Sequence, residues 1–460
     1  MNRRILTVPM GAPPRPIARA RGFSLVELMV AMVISLLVML GLVSVMDNVG
    51  VVNRAQDGLA RLQENGRYAM TRVSQDLRAA AGQHCSNFGV GSSQLGAGGF
   101  TYLDRGRAAF AKFYVGGTGA GLVDASGAPF RFGPTFGGPT SAYFISPIFM
   151  MLGSECSGTA CNPAPDEADR GGLFTALPAM GTTTGLRARG GDVLTLRYLD
   201  GDGVRIVGQR NFLQDGAAVQ FDLDPATAST LGVTGGRDAV WFTDCSISEI
   251  ARASQAGSVL TLANNFAASF DNDIMRRMDT RSDARAFNLA RDLRVVSYYL
   301  QLKNDPNNAA RRISSLMRRD VSANPAVQEL VEGVERLDFL YGVDDALGRT
   351  RYLTAEEVDD MTAADCPPWP TGLTAAEVTG GCGWRAVKNV EVFMLLNTVG
   401  DVAVTGDEEF RYSFLNNGNA NAAATYEVPS ALGTLRNGLP PGRMLRREFR
   451  ALVSLRDYNY

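Results

Sequence analysis

Arg21-Gly22-Phe23-Ser24-Leu25-Val26-Glu27-Leu28-Met29-Val30 joins a basic segment to an apolar one, and it restricts the chain more than any other stretch. The apolar run extends from Phe23 to Met46 and carries one charge, Glu27. At about 1.5 Å per residue it makes a helix of roughly 36 Å, enough to cross a bilayer core. An acid at mid-bilayer costs about 2.5–3.5 kcal/mol on insertion scales, so Glu27 is a candidate functional residue. Residues 1–22 hold Arg3, Arg4, Arg15, Arg19 and Arg21 and no acid, which keeps this end in the cytoplasm. A secretory signal would have a shorter core with its cleavage site after it. Here the small residue, Gly22, precedes the run, so the span stays in the processed protein.

Gly22-Phe23-Ser24-Leu25-Val26-Glu27 with the uncharged run behind it resembles the prepilin signature of type IV pilins and type II secretion pseudopilins. The resemblance implies that a membrane prepilin peptidase cuts after Gly22 and that Phe23, the new N-terminus, is N-methylated. It also implies that Glu27 meets the Phe23 amine of an adjacent subunit and sets axial register during assembly. The leader, residues 1–22, contains Pro9, Pro13, Pro14 and Pro16, and Met10 offers a later start.

Beyond the span (23–46), residues 47–84 read as the same helix continued into water. Val52, Leu59, Leu62, Gly66, Ala69, Met70, Val73, Leu77 and Ala80 fall three, four or seven apart and make one stripe. Asp57 with Arg61 and Arg72 with Asp76 are opposite charges at i, i+4, which places them on the wetter side. Gly41, Gly50, Gly58 and Gly66 each weaken an isolated helix by about 1 kcal/mol relative to alanine and mark bends or close contacts.

Residues 85–190 are glycine-rich with short apolar islands, and read as a large insert of loops and short strands. From 191 to 460 the pattern turns to strands. Asp192–Tyr198, Asp238–Cys245, Leu293–Leu300, Ile313–Arg319, Arg336–Asp344, Val387–Leu396 and Arg447–Leu455 are the clearest, with a turn at Lys303–Pro306. Val327–Val334 reads as a short helix or an extended segment. The class is α+β: a long membrane-spanning and amphipathic helix packed on an antiparallel sheet head.

Leu330–Asp344, Trp384–Val392 and Arg446–Phe449 leading to Asp457 resemble the PilW family of minor type IV pilins, as do Ala80-Ala81-Gly82 before Cys85 and Asp244-Cys245. The resemblance implies a pilin-like head and a minor pilin of the pilus tip or priming complex. Its implied partners are the peptidase, other minor pilins, the major pilin, the inner-membrane assembly platform and a large tip adhesin. The implied location is the bacterial inner membrane with a periplasmic head, then the pilus. The alternatives are a minor pseudopilin of a secretion system and, more remotely, a membrane-anchored periplasmic enzyme or binding protein.

All six cysteines lie after the span, which points to disulfides in an oxidising compartment. Six cysteines allow 15 pairings. We expect Cys156–Cys161, which enclose four residues, and Cys366–Cys382; family likeness then implies Cys85–Cys245.

No nucleophile, base and orienting group can be assembled, so we expect no enzyme, no cofactor and no metal. His84 is the single histidine, which excludes a multi-histidine metal site. Leu199-Asp200-Gly201-Asp202-Gly203 lacks the twelfth-position glutamate of a calcium loop, Asn211 standing there, and reads as a tight hairpin turn between Tyr198 and Val204. Gly116-Gly117-Thr118-Gly119 lacks the lysine of a phosphate loop. Arg311, Arg312, Arg318 and Arg319, with Arg443, Arg446, Arg447 and Arg450, read as solvated strand faces. The net charge of −2 gives no general attraction to nucleic acid.

Overall fold

The computed structural model describes residues 24–80, 112–113, 143–144, 151–157, 160–165, 177–210, 220–233, 238–244, 247–262, 283–305, 308–320, 326–362, 364–366, 382–400, 414 and 444–455. Residues 1–56 and 57–460 form two separate units. Helix α1 runs Leu25–Ala79, and its first part, Leu25–Met46, is apolar and exposed throughout. Among the described residues nothing buries these side chains, and the stretch is long and apolar enough to cross a membrane.

In the second unit α1 presents Leu62, Gly66, Ala69, Met70, Val73 and Leu77 to a shared core. This is the predicted stripe from Leu62 onward, whereas Leu59 is exposed. Burying Leu62, Met70, Val73 and Leu77 contributes about 1.5–3 kcal/mol each before chain entropy is counted. The sheets that receive the helix alternate with period two: Leu194 and Leu196, and Val296, Tyr298, Leu300 and Leu302, all point into the same core.

The first of these sheets has strand order β16-β15-β14-β7-β3-β4, namely Val327–Glu332, Asn308–Asp320, Leu293–Asp305, Val193–Leu199, Met151–Ser157 and Ala160–Asn162. Two short strands, β5 (Met180–Gly181) and β6 (Arg187–Ala188), join it beside β14. The second has order β18-β17-β19-β20, from Thr350–Leu353, Val334–Asp344, Val387–Asn397 and Arg446–Ser454. Gly333 alone separates β16 from β17, with φ +81°. A Cβ there would stand 2.7 Å from the Asn397 carbonyl oxygen, so only glycine lets the chain turn from one sheet into the next. Helix α3 (Ala355–Asp359) opens on a capping box between Thr354 and Glu357. A single turn, α4 (Cys382–Arg385), precedes β19.

The strands predicted from sequence are present, and Val327–Glu332 is extended rather than helical. The β14–β15 turn falls later than predicted: the strand runs through Lys303 and Asn304 to Asp305, which pairs with Asn308. Lys303 meets Glu329 and Glu332 at 2.7 and 2.8 Å across the sheet, and buried Asp305 meets Arg311 at 2.5 Å, so the ladder is held past the expected turn.

The segment Asp200–Gly203 is not a hairpin turn. β7 pairs with β14 and β3, whereas the next strand, β8 (Val204–Arg210), pairs with β9 (Gln220–Leu223) and β13 (Arg285–Asn288). The segment is a crossover into another body. There β10 (Asp238–Asp244), β11 (Ile247–Ala256) and β12 (Val259–Leu262) complete a ring of antiparallel pairings, β10-β13-β8-β9-β12-β11, closed because β10 also pairs with β11. Closure leaves the ring few free sheet edges; β11 keeps one at Glu249 and Ile250.

The ring is filled by alternate residues of its strands: Val204 and Ile206, Phe221 and Leu223, Val240 and Phe242, Ala284 and Ala286. The Phe221 and Phe242 rings lie 5.2 Å apart inside it. Two short strands extend the sheet from β11: β1 (Lys112–Phe113) pairs with β11, and β2 (Tyr143–Phe144) pairs with β1. The chain returns to β14 through the turn α2 (Leu289–Asp292).

The barrel is therefore inserted at the tip of a hairpin. β7 and β14 are direct neighbours, and Leu199 faces Leu293 at the point where both leave the sheet. The crossovers are pinned together: Asp200 N–H donates to Asp292 O at 2.8 Å, and Arg294 meets the Asp200 carboxylate at 2.8 Å. A boundary at 190/191 does not follow the strand pairing. Residues 151–188 supply strands to the head sheet, while the separate small core lies within 204–286.

Candidate functional site

Ser24 and Glu27 start α1. Glu27 N–H donates to Ser24 Oγ at 3.2 Å, and Ser24 N–H donates to Glu27 Oε2 at 3.3 Å. This is a capping box: two backbone donors of the first turn, which have no partner within the helix, are satisfied reciprocally. The carboxylate also lies at the positive end of the helix dipole. The Ser-x-x-Glu spacing of this box is visible in the sequence, and sequence reasoning missed it because the lone charge beside a span drew the membrane interpretation. Glu27 is exposed. Its carboxylate is folded back over the helix start onto the Ser24 N–H; Gly22 and Phe23 lie outside the described residues.

A second constellation fastens α1 to the head. Asp76 is buried, and its Oδ2 accepts from Arg318 Nε at 2.7 Å and from the Tyr298 hydroxyl at 2.5 Å. The Tyr198 hydroxyl donates to Oδ1 at 3.1 Å, and Arg318 also reaches Asp320 at 3.2 Å. Burial and the Asp76 charge push both tyrosines above their ordinary pKa, so they remain donors.

Asp76 is thus not on the wetter side with Arg72, which donates instead to Gln75 at 3.4 Å. The arginine groups are solvated faces only in part: Arg447 and Arg450 are exposed, whereas Arg318 is buried and Arg311, Arg312, Arg319 and Arg446 are half-buried. Arg446 makes a two-pronged pair with buried Glu335 at 2.8 and 3.0 Å, and Arg312 donates to Thr182 O at 2.8 Å. Arg450 pairs with Glu391 and stacks over Phe393 at 5.0 Å. Arg443 lies outside the described residues.

Cys156 and Cys161 form a disulfide across the β3–β4 hairpin, with Cα atoms 4.0 Å apart. Arg187 Nη1 lies 3.6 Å from Cys161 Sγ. Cys366 is buried and disulfide-bonded. The Cys382 side chain lies outside the described residues, as do Cys85, Cys245 and His84. Among the described residues no three His, Cys, Asp or Glu side chains converge as metal ligands would.

Residues 17–43 match the Prokaryotic N-terminal methylation motif, and residues 297–457 match Type IV Pilus-assembly protein W. The first match covers the capping box and the start of the span. The second begins within β14 and covers β15 to β20, leaving out the barrel. No curated protein and no solved structure matches the chain.

Proposed function

We propose that this chain, a type IV pilus-related, pilin-like protein with an N-terminal methylation motif and a Type IV Pilus-assembly protein W region, is a minor pilin that acts in pilus assembly within the tip or priming complex. One observation carries the reading: the methylation motif opens an apolar helix that is continuous with the helix packed on the matched head. A single element therefore serves as membrane anchor before assembly and as filament stem after it.

In this reading the prepilin peptidase cuts between Gly22 and Phe23, because a side chain at Gly22 would obstruct access to the backbone. The mature chain, residues 23–460, then starts at an N-methylated Phe23 with Glu27 as its fifth residue. An unpaired carboxylate and an unpaired ammonium are both costly in an apolar filament core, and bringing them together offsets part of that cost. The capping box holds Glu27 at the first turn in position to do so.

The head stands in the periplasm, and its partners are other minor pilins, the major pilin, the inner-membrane platform and a tip adhesin. The role is structural rather than enzymatic. Deleting the gene and restoring it tests the proposal. Surface pilus number should fall on deletion and recover with the wild-type chain; unchanged piliation on deletion would contradict it.

A further inference from the structure

Asp192 ties the two sheets of the head together. Its N–H donates to Leu337 O at 2.8 Å, its Oδ1 accepts from Cys156 N–H at 3.0 Å, and its Oδ2 accepts from Phe339 N–H at 3.3 Å. Cys156 belongs to the disulfide hairpin β3–β4, and Leu337 and Phe339 belong to β17. One buried carboxylate therefore holds that hairpin on the neighbouring sheet.

Further titratable groups crowd the same joint. Glu155 comes from β3, and Arg336, Asp338 and Tyr341 come from β17. Glu356 and Glu357 act on it from α3, and Trp384 of α4 packs edge-on against Tyr341 at 5.0 Å. Arg336 is already engaged by Asp338 through Nε and Nη2. Glu155 Oε2 and the Tyr341 hydroxyl are shut off from solvent with no hydrogen-bond partner among the described residues.

Three carboxylates, Asp192 and Asp338 buried and Glu155 half-buried, thus crowd around a guanidinium that Asp338 already engages. Burial and then Asp338 raise Glu155 to about 7, with Arg336 opposing them; burial, Glu155 and Asp338 push Asp192 well above the ordinary carboxylate range.

We propose that this joint is a proton-operated latch: a proton on the Glu155 carboxyl keeps the disulfide hairpin on β17, and its loss sets Glu155, Asp192 and Asp338 against one another and loosens the hairpin. An acid whose pKa is raised by folding contributes stability that is present below its unfolded value and is lost as pH rises through the folded one. For Glu155 that window runs from 4.5 to about 7, so the latch holds in acid and slackens toward alkaline medium. The barrel and the outer strands β19 and β20 lie outside the cluster and should not respond.

Amide hydrogen exchange on the intact chain in detergent tests this, with rates corrected for the intrinsic effect of pH. Peptides covering residues 151–157 and 334–341 should exchange on the order of tenfold more slowly at about pH 5.5 than at about pH 8, while a barrel peptide, 247–256, shows no step. Glu155→Gln should abolish the step and keep the slow rate at both pH values. Equal protection of the wild-type joint at both pH values would overturn the latch, as would an unchanged step in Glu155→Gln. If that variant does not fold, the wild-type comparison between joint and barrel still decides.

Discussion

Asp76 on the helix and Arg318 on β15 meet at 2.7 Å in the interior of the head, although 242 residues separate them in the chain. Two tyrosine hydroxyls complete the shell around Asp76, so its charge is compensated on every side the core offers. Removing Asp76 leaves Arg318 with Asp320 as a carboxylate partner and leaves both tyrosine hydroxyls without their carboxylate acceptor. Asp76→Ala should therefore cost up to about 3–5 kcal/mol, the range for breaking a buried ion pair. Replacing both by apolar residues, Asp76→Leu with Arg318→Met, should cost less than the single change. Urea unfolding of the intact chain in detergent checks this; a double variant weaker than Asp76→Ala would contradict the finding.

Gly66 lets the helix touch β20. A Cβ added there would run into the Phe449 ring, so Gly66→Leu forces helix and strand apart. We expect a loss of about 1–3 kcal/mol, as for overpacking elsewhere, and partial recovery when Phe449→Ala is added. Unfolding midpoints of the two variants measure it. No recovery would mean that the ring is not what the helix meets.

The inserted barrel should be removable. Joining Leu199 to Leu293 through an Asn-Gly turn rebuilds the β7–β14 hairpin, because the two residues already face each other. The shortened chain should keep the Cys156–Cys161 disulfide and a protease-resistant core of head and helix. Aggregation, or loss of that core, would show that the barrel supports the head rather than riding on it.

Glu27 carries two separable properties, a cap and a charge. Glutamine can close a capping box as glutamate does, so Glu27→Gln keeps the helix start and removes the charge, while Glu27→Ala removes both. If register depends on the charge, both variants insert and are cleaved normally but are depleted from sheared pili. Normal incorporation of Glu27→Gln would leave capping as the only role of this residue.

The same contrasts show what the sequence carries and what it hides. The span, the helical stripe from Leu62 to Leu77 and the long strands are written in local periodicity, and they appear where periodicity places them. Asp76 is not, because its neighbour Arg72 offers a plausible surface partner and the true one lies in a distant strand. The barrel escapes for a related reason: each of its strands shows only a short alternation, such as Val204 and Ile206, and closure depends on β10 meeting strands on either side of it. The Asp200–Gly203 segment has the residues of a tight turn, but which strands it joins is settled by pairing far away. At the candidate site the cleavage motif is legible as a string, and so is the Ser24–Glu27 box, once Glu27 is viewed as the third residue of a helix as well as an acid beside a membrane.

The most direct test is the mass of the N-terminal peptide recovered from sheared, purified pili. The account predicts that this chain is present there and that its N-terminal peptide begins at Phe23 and carries one added methyl group. A chain that still begins before Gly22, or that is absent from the filaments while abundant in the inner membrane, would contradict it.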